Sequence, residues 1–170
     1  MIHLHQQLME FYVQFHQKQH YFLCHDILEE AWKAQPTFSK DDPVVALILL
    51  ATACYHHRRG NFKGAHRSYK KALTVCRHHD KLTYQALGVD YHQFENELRQ
   101  LIESTEQKER YTPIVIPLTA EMTQNILHHY PNYYLLKTVI SSPYILHHHK
   151  LRNRDDVIEA RARALQNKKR

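Results

Sequence analysis

Glycine is scarce in this sequence, which has 3 glycines among 170 residues. A β-rich architecture needs many tight turns, so this scarcity argues against one. Because the glycines stand only at positions 60, 64 and 88, the sequence holds neither a phosphate-binding loop nor a dinucleotide-binding fingerprint. These absences exclude the common glycine-rich nucleotide sites and favour a helical fold.

The sequence also has few cysteines and no long apolar runs. Cys24, Cys54 and Cys76 are odd in number and widely spaced, which predicts free thiols rather than a disulfide framework. We expect them to be small buried hydrophobes, and only Cys24, which precedes a histidine, is considered as a reactive thiol. No stretch is apolar for the length of a membrane span, and the first residues do not read as a signal peptide. The sequence therefore predicts a cytoplasmic protein with no membrane segment.

Helical periodicity accounts for most of the chain, and a hydrophobic content of 43% excludes general disorder. The spacing of apolar residues, prolines and caps predicts helices over 3–18, 21–34, 44–59, 62–76, 90–102, 119–129 and 132–140, with further helices starting near 142 and 153 and a linker over 78–89. The predicted fold class is all-α: a helical bundle built around a central helix hairpin, with a helical C-terminal extension.

The predicted organisation has three parts. Residues 1–104 form the helical bundle core. Residues 105–118, which include a β-branched run bracketed by prolines, form an extended strap or linker across the helical body. Residues 119–170 form a C-terminal helical segment with a basic tail.

The second predicted helix carries His25, Glu29 and Trp32, which are spaced by four and three residues and so share one face. The next helix begins after Asp42, its predicted N-cap, is apolar nearly all round, and ends in a basic turn closed by Gly60. A short connection makes the two helices antiparallel neighbours. We therefore expect His25 and Glu29 to lie within reach of the turn at the end of the third helix, and Trp32 to be an anchor of the core.

This pattern resembles the bacterial domain-of-unknown-function 309 family. The family hallmark is a His-x-x-x-Glu-x-x-Trp helix, then an apolar helix that ends in a basic turn with Gly-Asn, then a helix with Gly-Ala. The residues that carry the resemblance are His25, Glu29, Trp32, Leu47, Ile48, Ala51, Arg58, Arg59, Gly60, Asn61, Gly64 and Ala65. Where the family often has Gln inside the apolar helix, this chain has Leu49, which predicts a more apolar pocket. The resemblance implies no established activity.

Several chemistries remain open for the polar residues. The catalytic candidates are His25, Glu29, His56 and Arg59, because a His oriented by a carboxylate can act as a general base. The ligand-binding candidates are Trp32, Arg58 and Asn61, and an arginine here suits a small anionic ligand. We predict no cofactor, while His25, Glu29 and His56 are the weak candidates for a divalent metal ion. A structural network of the same residues is the competing interpretation.

Charge is concentrated at the C-terminus. The formal net charge is +6 with neutral histidines, and most of it lies after Leu146. This basic tail predicts weak nucleic-acid binding, while a solvated chain end is the favoured alternative. We interpret the sequence as a non-enzymatic binding or interaction module with an unknown protein partner or a small anionic ligand. The alternative function is a hydrolase or metal-dependent enzyme that uses His25, Glu29 and the turn from His56 to Asn61.

Overall fold

The structure, a computed structural model, describes residues 2–140 of the chain. This described part contains seven α-helices and no β-strand, so the predicted all-α fold is confirmed. The helices are α1 (Ile2–Val13), α2 (Tyr21–Lys33), α3 (Val44–Arg58), α4 (Phe62–Arg77), α5 (Lys81–Ala86), α6 (Tyr91–Glu106) and α7 (Ala120–His129), with a π-helical turn (Gln14–Lys18) between α1 and α2.

Helix α3 is the centre of the bundle. Its Val, Leu, Ile and Ala side chains cover nearly every side, so most of this helix is buried against other parts of the protein. Both α2 and α4 pack against it, α4 also packs on α6, and α1 contacts α2 and α7. The buried apolar side chains of these helices form one cluster. The α3–α4 hairpin therefore has the central position that the sequence predicts.

The turn of this hairpin has the predicted backbone geometry. Gly60 has a φ of +81°, a left-handed conformation that glycine adopts without the steric penalty of a Cβ atom. Asn61 then caps α4, because its Oδ1 accepts a hydrogen bond from the backbone N–H of Gly64 at 3.0 Å. The chain thus reverses at a fixed point, which sets α4 against α3.

The connection between α2 and α3 differs from the prediction. Asp42 does not cap α3; its Oδ2 accepts hydrogen bonds from Trp32 Nε1 at 2.9 Å and from the backbone N–H of Ser39 at 2.8 Å. Trp32 is only partly buried and packs edge-on against Phe38, with the ring centroids 5.2 Å apart. The prediction that Trp32 lies inside the core is therefore wrong. Its indole lies at the border of the core, where it holds the loop between α2 and α3.

Three local assignments also need correction. The first predicted helix changes to a π-helical turn after Val13 and ends at Gln19, whose φ is 52°. The predicted linker over 78–89 contains α5, which Asp80 caps through a hydrogen bond from Thr83 N–H at 2.9 Å. Residues 132–140 are not helical. Their backbone groups bond to the body instead, since Gln19 Nε2 donates to the Thr138 carbonyl at 2.7 Å.

Residues 111–118 run extended across the helical body. Ile114 and Ile116 are buried while Val115 between them is exposed, which is the alternation of an extended chain on a surface. The Ile116 N–H donates to His16 Nε2 at 2.8 Å, and the Asp90 N–H donates to the Pro117 carbonyl at 2.9 Å. We call residues 111–118 the strap. The division of the chain into three parts stays a prediction.

The predicted helices that begin near 142 and 153, and the basic tail, lie outside the described residues. Within the part that is described, every helix is too short or too polar to cross a membrane.

Candidate functional site

His25 and Glu29 form the predicted pair on one face of α2. His25 Nε2 lies 3.1 Å from Glu29 Oε2, and Lys33 Nζ lies 2.6 Å from Glu29 Oε1. The i, i+4 spacing along the helix creates both contacts. The side chains of His25 and Glu29 are 29% and 31% exposed, so water still reaches them. Glu29 therefore has its ion-pair partner Lys33 and its neighbour His25 on its own helix rather than on the turn after α3.

Asp26 adds a third potential metal ligand to this pair. His25 Nδ1 lies 3.2 Å from Asp26 Oδ1. Each of the three residues His25, Asp26 and Glu29 offers one ligand atom, and these three atoms lie within 4.8 Å of one another. A nitrogen and two carboxylate oxygens can hold a divalent cation such as Zn²⁺. Sequence analysis missed Asp26, although a carboxylate directly after His25 is visible in the sequence.

His25 also faces the end of α3, as predicted. His25 and His56 line the same cavity of about 140 Å³, which is closed by the rings of Phe22 and Tyr55 and by Thr52. Phe22 bridges the two helices, with ring centroids 6.1 Å from His25 and 5.6 Å from Tyr55. The antiparallel packing of α2 and α3 explains this proximity. Glu29 is not among the residues that line the cavity.

His56 is held in a defined orientation beside that cavity. Asn61 Nδ2 donates to His56 Nδ1 at 3.2 Å. Burial, together with the nearby charge of Arg59, lowers the pKa of His56. The ring is therefore neutral near pH 7 and keeps a lone pair. Asn61 orients this ring and caps α4, and its role in binding a ligand stays a prediction.

The two arginines of the turn do not line that cavity but stack on the rings of two of its tyrosines. The Arg58 guanidinium lies 4.6 Å from the ring centroid of Tyr21 and donates to the Gln19 carbonyl at 2.6 Å. The Arg59 guanidinium lies 5.1 Å from the ring centroid of Tyr55. Both are cation–π contacts, in which an aromatic face stabilises the charge. Burial lowers the pKa of Arg58 to about 10.

A buried hydrogen-bond network lies next to the arginines. His57 Nε2 donates to the Glu109 carbonyl at 2.8 Å, which leaves Nδ1 to accept from the Tyr69 hydroxyl at 3.1 Å. The Tyr21 and Tyr111 hydroxyls hydrogen-bond to each other, which ties α2 to the strap. Burial lowers the pKa of His57, so its neutral form is the stable one. These groups are structural, because each polar atom is engaged by the fold.

The three thiols are enclosed, as predicted. Cys24, Cys54 and Cys76 are all free and buried, and burial raises the pKa of each. The Cys24 thiol lies 3.6 Å from the carbonyl of Phe11. A catalytic thiol needs an accessible thiolate, so Cys24 does not provide one.

A concave surface larger than the cavity beside His25 lies along the same face of α3, toward the start of the helix, and was not predicted as a site. It is an open groove of about 730 Å³ between α3 and α4. Val45, Leu49 and Val75 form its apolar floor. The cationic side chains around it are Lys40, Lys63, Arg67, Lys70 and Lys71, accompanied by His66. We call this surface the α3–α4 groove. The position where the family often has Gln, Leu49, lies here and not in the cavity beside His25.

The charge pattern of α4 could have revealed this groove from sequence. The helix carries five Lys/Arg residues and no Asp or Glu. Arg77 pairs with Glu95 at 3.4 Å. Within residues 4–140, no carboxylate forms an ion pair with the other four cations of α4. A cationic helix face without acidic residues therefore borders an apolar floor.

The sequence of this helical bundle is similar to sequences of known proteins. Residues 8–68 match the family described as a domain of unknown function (DUF309). They include α2, α3 and the start of α4, so the resemblance that the motif predicts is confirmed. A curated relative, the uncharacterized protein YpuF of Bacillus subtilis (strain 168), is 29% identical over 165 residues, which cover 95% of this chain and 94% of YpuF. No solved structure gives a significant match.

Proposed function

We propose that this protein is a non-enzymatic binding module that uses the α3–α4 groove to hold an acidic, amphipathic helix of a partner protein. The observation that carries this proposal is the composition of the groove. Five lysines and arginines and one histidine surround an apolar floor, and none of the residues that line it is acidic. Such a surface is complementary to a helix with one apolar stripe and carboxylates beside it.

The cations of α4 support a helical partner by their spacing. Lys63, Arg67 and Lys70 follow one another at intervals of four and three residues, and the uncharged Thr74 follows after four more, so these side chains form a stripe along the helix. The stripe runs for about 16 Å, or three helical turns. Like charges at i, i+4 destabilise a helix by a few tenths of a kcal/mol per pair, and carboxylates of a bound partner would remove this repulsion. A partner helix of similar length matches the stripe.

The floor distinguishes this partner from a nucleic acid. Leu49 is partly exposed in the groove, and the aliphatic parts of Lys40 and Lys71 extend the apolar surface around it. A phosphate backbone would satisfy the cations but would leave this floor without an apolar partner. Nucleic-acid binding by the basic tail is a separate prediction about residues outside the described part.

The direct test uses a fluorescein-labelled model peptide. It is a helix of about fifteen residues with leucines on one face and glutamates on either side of them. We expect binding that fluorescence anisotropy detects at micromolar concentration. Lys70→Glu should weaken it about tenfold through charge. Leu49→Gln should weaken it through the floor while leaving every charge in place.

Two controls make the test decisive. Lys81→Glu changes the same charge on exposed α5, outside the groove, and should not alter binding. A scrambled peptide of the same composition has no apolar stripe and should bind weakly. If the scrambled peptide or a single-stranded oligonucleotide of equal charge bound as tightly, the groove would be a general polyanion surface and the proposal would be wrong.

A second candidate function is metal-dependent, and the observation that favours it is the grouping of His25, Asp26 and Glu29. His56 across the neighbouring cavity could serve a hydrolytic reaction at such an ion, because its ring is held neutral. The test is a zinc titration of the untagged protein followed by calorimetry. His25→Ala should abolish a stoichiometric site, whereas His92→Ala, an exposed histidine of α6, should not. Equal zinc uptake by both variants would exclude a specific site.

A further inference from the structure

A third concave site lies where the hairpin turn meets the strap. It is a cavity of about 370 Å³ whose lining includes Arg58, Arg59 and Arg110, with His57, Phe62 and Tyr111 as its ring-bearing walls. We call it the arginine cavity. Two of its arginines come from the end of α3 and one from the residue that precedes the strap, so the fold brings together cations that are far apart in sequence. The α3–α4 groove uses none of these side chains.

The charges of Arg59 and Arg110 in this cavity are not balanced by carboxylates in the described part of the chain. Neither Arg59 nor Arg110 has an ion pair with any carboxylate of residues 4–140. The Nε atom of Arg59 is buried and has no hydrogen-bond partner among those residues. An unmet buried donor and several guanidinium groups around one space raise the free energy of the cavity when it holds only water. A bound anion would accept a hydrogen bond from the buried donor and would balance the charge of the guanidinium groups.

The burial of Arg58 points the same way. Its pKa is lowered to about 10 by burial, which means that the fold removes part of the water that stabilises the guanidinium charge. Its contact with the Tyr21 ring, at 4.6 Å, and its hydrogen bond to the Gln19 carbonyl, at 2.6 Å, hold the guanidinium in this buried position. An anion in the adjoining cavity would interact with a charge that is less screened than one on the surface.

We infer that the arginine cavity binds a small organic phosphate monoester that carries a ring. Guanidinium groups suit a phosphate because their planar forks donate two parallel hydrogen bonds to its oxygens. A phosphate monoester brings a charge of about −1.5 to −2 near pH 7, which matches a cavity with more than one arginine. This site is independent of the function proposed for the α3–α4 groove.

The walls and the volume define the rest of the ligand. The rings of Phe62 and Tyr111 both make edge-on contacts with the His57 ring, and their centroids lie 5.9 and 5.6 Å from its centroid. His57 already donates to the Glu109 carbonyl, so it contributes a flat wall rather than a charge. A volume of 370 Å³ falls in the range of about 300–1,000 Å³ that is typical of small-molecule sites and exceeds the need of inorganic phosphate alone. An aromatic or heterocyclic group beside the phosphate would fill it.

Calorimetric titration with phenyl phosphate tests this inference on the full chain. Phenyl phosphate should bind at one site per chain, about tenfold more tightly than inorganic phosphate, because the ring adds apolar contact. Arg110→Ala should weaken its binding about tenfold or more, and Arg110→Lys should restore only part of the affinity, since an ammonium lacks the fork. Arg110 is exposed, so its replacement leaves the core intact.

The matched control is Arg99→Ala, which removes the same charge from an exposed position on α6 outside the cavity. This variant should bind phenyl phosphate as the parent protein does. Lys70→Glu in the groove should also leave the affinity unchanged, which separates this site from the proposed function. If Arg110→Ala and Arg99→Ala bound phenyl phosphate equally, or if the parent protein did not bind it at millimolar concentration, the inference would be overturned.

Discussion

His16 holds two segments of the chain onto the helical body through its two ring nitrogens. Nε2 accepts a hydrogen bond from the backbone N–H of Ile116 at 2.8 Å, and Nδ1 lies 2.7 Å from the Tyr133 hydroxyl. A backbone amide only donates, so Nε2 must be unprotonated and the ring neutral. Burial accordingly lowers the pKa of His16 to about 4.

This pKa predicts a loss of stability in mild acid. The unfolded chain takes up a proton near the ordinary His pKa of about 6.5, while the folded chain resists until about pH 4. The free energy of unfolding should therefore fall as the pH decreases from about 6.5 to about 4, and His16 alone should account for about 3 kcal/mol of that fall. Urea unfolding curves measured across this range test the prediction.

The control for this prediction is a change of the titrating group itself. His16→Gln keeps an acceptor and removes the titration, so the slope of stability against pH should flatten. His92→Gln, at an exposed position, should leave the slope nearly as it is. Equal slopes in His16→Gln and the parent protein would assign the acid sensitivity to other buried groups, of which His57 is the first to consider.

Two glycines with nearly equal backbone angles should respond differently to alanine. Gly60 and Gly88 have φ values of +81° and +82°. A Cβ on Gly60 would meet nothing within 4 Å, so Gly60→Ala should cost only the conformational penalty of about 1 kcal/mol. A Cβ on Gly88 would lie 2.6 Å from Met122 Cε, so Gly88→Ala must also displace that side chain. Thermal unfolding should rank Gly88→Ala as clearly less stable, and equal melting temperatures would contradict this.

At the scale of elements, the strap depends on the alternation of its side chains. Ile116 is 1% exposed and Val115 is 50% exposed. Ile116→Ala should therefore destabilise the fold by about 2–5 kcal/mol, as for other large-to-small replacements in a core. Val115→Ala, the adjacent control, should change stability by less than about 0.5 kcal/mol. Chemical denaturation of both variants measures the difference, and similar values would mean that the strap does not pack as described.

The elements also show which parts of the fold a sequence can predict. Helices α4 and α6 were predictable because their periodicity and caps are local, as with Asp90, which accepts from the Gln93 N–H at 3.0 Å. Helix α3 was predictable from its apolar run and from Gly60, although its predicted cap was wrong. Residues 132–140 read as helical from their apolar residues alone. Their conformation is set by contacts with distant groups, such as the Leu136 N–H that donates to the His16 carbonyl at 3.0 Å. No local pattern carries that information.

At the scale of the whole molecule, the candidate site was predictable in outline only. Antiparallel packing follows from a short connection, so the approach of His25 to His56 could be predicted. The direction of each side chain could not, because it depends on which ring lies nearby. Arg58 turns toward Tyr21 and Arg59 toward Tyr55, so neither pairs with Glu29. The α3–α4 groove and the arginine cavity likewise depend on packing between elements.

The thiols offer a test of whether the bundle unfolds as one unit. Cys24, Cys54 and Cys76 lie on α2, α3 and α4, and each belongs to the single core cluster with an exposure of 0%. Their raised pKa values keep them protonated and their burial keeps the reagent away, so no thiolate is available to attack the disulfide bond of a labelling reagent. Labelling in native buffer should therefore require opening of the core.

If the core opens cooperatively, all three thiols should react with Ellman's reagent at the same slow rate, and at once in denaturant. Ser39→Cys supplies an internal reference, because an exposed thiol at this position should react immediately. Mass spectrometry of peptides after partial labelling gives the rate for each cysteine. A faster reaction at Cys24 alone would mean that α2 detaches from α3 before the α3–α4 hairpin opens, and it would contradict a single cooperative core.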